Sequence, residues 1–418
     1  MLRTIIVCTF FGLCLNGCVF MRVKEDIKKY NAYSHVAGNI ISEFSENKPI
    51  FIGAFRYESG EEKLIDYGII YEPGPFEIWL LPGEYYLAAF EDANEDMYFQ
   101  QDEYVGWYGS PTPVNIIQGR NYKDMDICLR SPEKAKKELP IIYDGTTERS
   151  GMKVDEKGVG EIVSLDDPRF SRENGWIGFW EPMRFLEGIG GGVYFLEPYD
   201  PQKIPILFVH GLCGHPGMWS RMVENLDRTH FQPWLGYYPS GLRLTDLSEA
   251  VAQFICQLQY KYKYKKICIV AHSIGGLIAR AAINRLDELH CSYNVELFVS
   301  ISTPWQGHID ARRGVDYAPV VVPCLYDLVP GSPFITSIHE KPLPQSLAYY
   351  LMFSYKSDGS LFVRGNNDGV VTLQSQLLKA AQEEAEKMFG FNETHVTVLI
   401  SKTVSKKLCN ILEKSAGK

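Results

Sequence analysis

The chain has 418 residues, 45% of them hydrophobic, and a formal net charge of −9. That length is enough for two domains with buried cores. An acidic balance without a Lys/Arg run argues against a nucleic-acid partner, and the absence of any CxxC or His/Cys spacing pattern removes a structural zinc site.

At the N-terminus, Met1-Leu2-Arg3 precedes an apolar run from Ile5 to Leu15. A positive start ahead of a short apolar core is the pattern of an export signal, and the run is too short to span a bilayer. Leu15-Asn16-Gly17-Cys18 resembles a bacterial lipoprotein box, with Asn16 unusual at its second position. The resemblance implies cleavage before Cys18 and lipidation of that thiol, which would anchor the chain stably through several acyl chains. A plain secretory signal with an incidental cysteine is the alternative. Val19, not aspartate, follows, and in Gram-negative sorting this resembles an outer-membrane address. Residues 1–18 are read as signal and lipobox, and the expected location is the bacterial envelope.

Residues 30–130 read as a separate all-β module. Short alternating runs recur at Pro49–Arg56, Leu64–Tyr71, Phe76–Leu80, Tyr85–Phe90, Pro113–Ile117 and Asp124–Leu129, separated by turn residues such as Pro82-Gly83. Strands at this spacing predict an antiparallel β-sandwich. The module resembles the small Ig-like or transthyretin-like domains of exported proteins. Within it, Asp92, Asn94, Asp96, Tyr98 (through its carbonyl) and Glu103 fall on the relative positions 1, 3, 5, 7 and 12 of an EF-hand-like calcium loop. Met97 stands where the sharp turn prefers glycine, and no helix pair is predicted around it. The choice is between a calcium-stapled β-loop and a solvated acidic loop.

Residues 131–175 are polar and poor in periodicity, and read as a linker. The aromatic, glycine-rich stretch Trp176–Tyr194 leads into a second domain, 176–418, with an early strand at Tyr194–Glu197. Ile204–Val209 is a β-rich run consistent with a buried parallel strand. His210-Gly211-Leu212-Cys213-Gly214 follows it, a glycine-studded loop suited to aiming backbone N–H groups at a developing oxyanion.

Ile267–Ala271 is a second apolar run, and it leads through His272 to Ser273. Ile274-Gly275-Gly276 and a helical stretch to about Leu289 come next. Strand, sharp turn and helix with a serine at the apex describe a nucleophile elbow, in which the serine is held in a strained conformation. Gly275 and Gly276 let the helix approach where a Cβ would collide. The amides of Leu212 and Ile274 are the expected oxyanion donors. Taken alone the pentapeptide also suits a serine capping a core helix; its context favours the elbow.

Downstream, Val295–Ile301 is a strand closed by Ser302-Thr303-Pro304. Leu347–Tyr355 is another, followed by Asn366-Asn367-Asp368-Gly369. A helix is expected from Leu373 to Met388, stopping at Gly390, with His395 in the loop before the last helix. Asp327 and Asp358 are rival acids, and His308 and His339 rival bases. The order Ser273, Asp368, His395 is the α/β-hydrolase order. Chemically, His395 would take the Ser273 proton while Asp368 holds the imidazole tautomer.

From about residue 200 to 415 the chain resembles the α/β-hydrolase lipases and esterases of the bacterial triacylglycerol-lipase and GPI inositol-deacylase-like group. The resemblance rests on Phe-Val-His-Gly at 208–211, Ala-His-Ser-Ile-Gly-Gly at 271–276, Ser-Thr-Pro-Trp-Gln-Gly-His at 302–308, Asp-Gly-Val-Val at 368–371, and His395. It implies a doubly wound, mostly parallel sheet and a cap insertion at about 308–346, whose apolar residues line an acyl pocket or form ordinary core. Two departures stand out. Ala271 replaces the first glycine of the elbow, and Val396-Thr397 stand where such lipases carry a calcium aspartate. The expected function is an anchored serine hydrolase of carboxylic esters, lipid esters preferred, with no catalytic cofactor. An amidase or acyltransferase on the same fold, or a non-catalytic binding lipoprotein, are the alternatives. Three of the ten cysteines fall in the signal, and the other seven, an odd number without a spacing motif, predict no particular disulfide, although export permits them.

Overall fold

The computed structural model describes residues 17–42, 48–58, 61–94, 99–100, 102–109, 112–131, 134, 158–289, 295–357 and 365–417. The chain divides into two compact units. One comprises residues 28–153 with 287–291, the other residues 1–27, 154–286 and 292–418.

The smaller unit carries β1 (Ser34–Ile41), β2 (Ile50–Glu58), β3 (Glu61–Ile70), β4 (Pro75–Leu80), β5 (Gly83–Glu91), β6 (Val105–Tyr108), β7 (Val114–Ile116) and β8 (Ile127–Cys128). They form a three-stranded sheet, β4-β1-β8, and a five-stranded one, β3-β2-β5-β6 with β7 on β5. Val36 and Ile78 from the first sheet share a core with Ile52, Ala54 and Leu87 from the second, the face-to-face arrangement of a sandwich. All pairings but β1 with β8 are antiparallel. β1 carries no strand pattern legible in sequence, because its Ala37, Gly38 and Asn39 are poor strand formers; burial nevertheless alternates along it.

The larger unit is built on an eight-stranded sheet of order β16-β15-β14-β13-β11-β12-β10-β9. Its strands are β9 (Val159–Ile162), β10 (Gly192–Phe195), β11 (Ile204–Val209), β12 (Phe231–Tyr237), β13 (Ile267–His272), β14 (Val295–Ile301), β15 (Ala348–Ser354) and β16 (Lys387–Phe391). Only the β10–β12 pairing is antiparallel. Every residue of β13 is buried, as expected of an apolar strand covered on both faces. The chain runs outward from β11 to β12, then returns to place β13 on the other side of β11. That reversal sets a topological switch point at the carboxyl ends of β11 and β13, where open parallel sheets bind ligands.

Two expectations are corrected by this sheet. The linker assigned to 131–175 ends early: β9 joins the sheet edge, Phe170 is buried, and a helix spans Arg172–Trp180. Four-residue strands leave too short a pattern to read in sequence. The helix expected at 373–388 is instead two short helices, Leu373–Gln376 and Lys379–Glu384, followed by strand β16. Leu377 and Leu378 leave the helical region between them, and Lys387–Phe391 is taken up as a parallel partner of β15, a case of tertiary pairing overriding local preference. His395 thus follows a strand.

Residues 309–337 of the expected cap hold three short helices, Ile309–Tyr317, Cys324–Leu328 and Pro333–Ser337. Ahead of the sandwich runs the helix Gly17–Tyr30, which includes Cys18; residues 1–16 of the signal lie outside the described residues. Cys256 is disulfide-bonded. No helix among the described residues is long and apolar enough to cross a membrane.

Candidate active site

Ser273 caps β13 with φ of 56°, a left-handed conformation that a non-glycine residue adopts only when its surroundings impose it. Its amide donates to the carbonyl of Ile301 at 2.9 Å, which ties the turn to the next strand. The glycines around it are steric requirements. A Cβ on Gly275 would lie 2.5 Å from the carbonyl oxygens of Val209 and His210, and one on Gly276 would lie 2.0 Å from Thr303 Oγ1. On Gly211 it would come within 2.7 Å of the Ser273 Cβ.

The structure brings Ser273, His395 and Asp368 into one hydrogen-bonded chain. His395 Nε2 lies 2.9 Å from Ser273 Oγ, and Nδ1 lies 2.8 Å from Asp368 Oδ2. A carboxylate can only accept, so it assigns the proton to Nδ1 and leaves Nε2 free to accept from the serine hydroxyl. The His395 amide also donates to the Asp368 carbonyl at 2.8 Å. All three side chains are buried.

Asp368 has a full set of donors. Oδ1 accepts from the amides of Val370 at 3.0 Å and Val371 at 2.7 Å, and Oδ2 also accepts from Ser354 Oγ at 2.9 Å. Burial pushes its pKa up, but the neighbouring His395 and these hydrogen bonds outweigh burial and bring it below the usual carboxylate value. Ser354 is in turn 2.6 Å from Ser302 Oγ, and Ser302 is itself held at φ of 52°.

Two histidines beside the serine do structural work. His272 donates from Nε2 to the carbonyl of His395 at 2.9 Å, and burial holds its pKa down at about 3. His210 stacks on Tyr238 with ring centroids 4.1 Å apart. Its Nδ1 lies 2.9 Å from the Gly211 carbonyl and its Nε2 accepts from the Tyr238 amide at 3.3 Å; burial lowers its pKa to about 4. Neutral His210 therefore folds the 211–214 loop over the end of β11. Among the described residues, the amides of Leu212 and Ile274 donate to no protein acceptor, and both residues line the same cavity as Ser273. Free amides beside a serine hydroxyl are what a developing oxyanion requires.

That cavity has a volume of about 330 Å³. Its lining includes Tyr317, Val320, Val322, Leu325 and Leu328 from the cap. Phe179 and Trp180 line it as well; the aromatic run at 176–180 was the available signal for them. The rival residues have other partners. Asp327 pairs with Arg243 and accepts the Leu244 amide at 2.7 Å, capping the helix Leu244–Tyr262. His308 bridges to the Val370 carbonyl at 2.9 Å, and His339 meets Trp305 edge to face with ring centroids 5.6 Å apart. Asp358 lies outside the described residues.

In the expected calcium loop, Asp96 and Tyr98 also lie outside the described residues. Asp92 and Glu103 are buried and Asn94 is exposed. Glu103 accepts the amides of Ala93 at 2.9 Å and Gln100 at 2.8 Å, so its carboxylate already closes the loop. No group of three or more His, Cys, Asp or Glu suited to a metal occurs among the described residues.

Residues 240–321 match the family model described as "Putative serine esterase (DUF676)". No curated protein matches the chain. Among solved structures, a lipase of Bacillus licheniformis in mature form is 20% identical, covering 53% of this chain and 97% of that one with a TM-score of 0.42. Lipase B of Aspergillus fumigatus is 15% identical, covering 53% and 56% with a TM-score of 0.40. A phospholipase of Legionella pneumophila is 15% identical, covering 42% and 45% with a TM-score of 0.34. The serine esterase match spans the elbow that carries Ser273, and on it the chain is a carboxylic-ester hydrolase.

Proposed function

We propose that the protein is an envelope-anchored serine hydrolase that cleaves carboxylic esters of lipids through an acyl-enzyme on Ser273. The hydrogen-bonded run from Ser273 through His395 to Asp368, beside an apolar cavity, is the observation that carries this reading. His395 Nε2 takes the hydroxyl proton as Ser273 Oγ attacks the ester carbonyl, and Asp368 stabilises the imidazolium. The amides of Leu212 and Ile274 receive the oxyanion. The imidazolium then protonates the departing alkoxide, and a water deprotonated by His395 releases the acid. Val320, Val322, Leu325 and Leu328 offer the acyl chain an apolar wall. A lipidated Cys18 supplies the anchor, and the Cys256 disulfide favours an oxidising compartment.

Hydrolysis of p-nitrophenyl esters of graded chain length by the chain lacking residues 1–18 tests the activity, with fluorophosphonate labelling in parallel. Turnover rising with chain length, and labelling lost in Ser273→Ala, is the expected result. A wild type that neither labels nor turns over any ester would leave the non-catalytic alternative standing.

A further inference from the structure

The helix Gly17–Tyr30 is docked onto the walls of the Ser273 cavity. Val23 and Ile27 are buried and pack, together with Val19, against Trp180 and Val320, both of which line the cavity. These three apolar residues recur every fourth position, the stripe of a helix laid on a surface. Between them Asp26 is buried as well. Its Oδ1 accepts the Met183 amide at 3.0 Å and its Oδ2 the Arg184 amide at 2.8 Å, two donors that the first turn of the helix Pro182–Gly188 would otherwise leave unsatisfied. Arg22 stands 3.6 Å from Glu181 on the same side. Such a helix is a bracket with one fixed direction; a flexible tether would let the cavity face anywhere.

The surfaces left uncovered suit a membrane. Met21, Arg22 and Lys24 are exposed on the helix ahead of Asp26, and basic side chains beside an anchor are drawn to anionic lipid. On the cap helix Ile309–Tyr317, Ile309 is 58% and Tyr317 82% exposed, and Tyr317 also lines the cavity. From Cys18 to Asp26 the helix rises only about 12 Å, so a lipid on Cys18 brings the bilayer surface to the rim of the cavity.

We propose that the helix Gly17–Tyr30 is an orienting bracket that holds the cavity mouth against the anionic face of the bilayer anchoring the chain, so that ester substrates enter from that membrane. This rests on the reading of Cys18 as lipidated and of the cavity as lipid-hydrolysing.

The test uses the full lipidated chain in vesicles of phosphatidylethanolamine and phosphatidylglycerol, measuring fatty-acid release, with soluble p-nitrophenyl butyrate as a second substrate. Asp26→Ala combined with Ile27→Ala should lower vesicle turnover at least about tenfold, as expected when a pre-oriented encounter becomes a free one, and leave butyrate turnover within about twofold. Lys24→Glu, an exposed change that leaves packing alone, should weaken vesicle turnover in proportion to phosphatidylglycerol content. Equal losses on both substrates in the first variant would reduce the helix to a support of Trp180 and overturn the proposal, as would no loss on either. A Lys24→Glu protein indifferent to phosphatidylglycerol would overturn the choice of the anionic face. A wild type active on butyrate and silent on vesicles would sink this inference alone; one silent on both would sink the proposed function with it.

Discussion

His272 precedes Ser273 in the chain and grips His395 in space: its Nε2 donates to the His395 carbonyl at 2.9 Å, and the two rings lie 4.7 Å apart. The strand that delivers the serine thereby also fixes the backbone of its base. His272→Ala should lower kcat about tenfold, the equivalent of one hydrogen bond of about 1.4 kcal/mol, with KM nearly unchanged. His272→Gln, which keeps an N–H donor, should recover part of the loss. A KM rise without a kcat change would place His272 in substrate binding instead.

Ser273→Ala and His395→Ala should each lower ester turnover by orders of magnitude, and the double variant should be little worse than either, because such groups act as a unit. Asp368→Asn should cost less, since the amides of Val370 and Val371 still hold the side chain beside His395. Single-turnover kinetics with a p-nitrophenyl ester separates these cases. An additive double variant would mean that the two residues serve different steps.

Acid should unfold the larger unit through its neutral histidines. Burial lowers His210 to about 4 and His272 to about 3 from the ordinary 6.5. The unfolded chain then binds the protons first, so the stability they contribute is complete above 6.5. It is lost as pH falls through 6.5 toward 4 and 3, at up to about 1.4 kcal/mol per pH unit for each group. Melting temperature should therefore decline steadily below neutral pH, and His272→Gln should flatten that decline. A curve that stays level down to about pH 4 would contradict the burial of both rings.

Much of the larger unit is written in short-range patterns. The apolar runs at 204–209, 267–271 and 295–301 became strands at those places because a strand covered on both faces needs nothing but apolar residues. Ser273 was legible because steric demands on Gly275 and Gly276 leave a signature. His395 and Asp368 were legible through chain order. The support of Asp368 by Ser354 and the hold of His272 on His395 were not, since these partners lie 14 and 123 residues away along the chain. The same holds for β16, where pairing with β15 decided between helix and strand.

Calcium remains a proposal for the loop at 92–103, and heat is its probe. If Asp92, Asn94 and Asp96 converge on the ion, calcium at a hundredfold excess over Kd should stabilise the full chain by about 2.7 kcal/mol. The first melting transition should rise in calcium, and Asn94→Ala with Asp96→Ala should remove the rise without slowing ester turnover. A melting curve indifferent to millimolar calcium would leave the closure of that loop to Glu103 and the backbone hydrogen bonds around it.

Ser273 at φ of 56° sets activity and durability against each other. Glycine adopts that backbone freely, whereas a side chain there costs on the order of 1–2 kcal/mol. Ser273→Gly should therefore give a protein that survives more heat than its parent and hydrolyses nothing. A population selected for heat resistance alone would drift toward that substitution, and only continued demand for turnover would keep the hydroxyl at the apex of the turn.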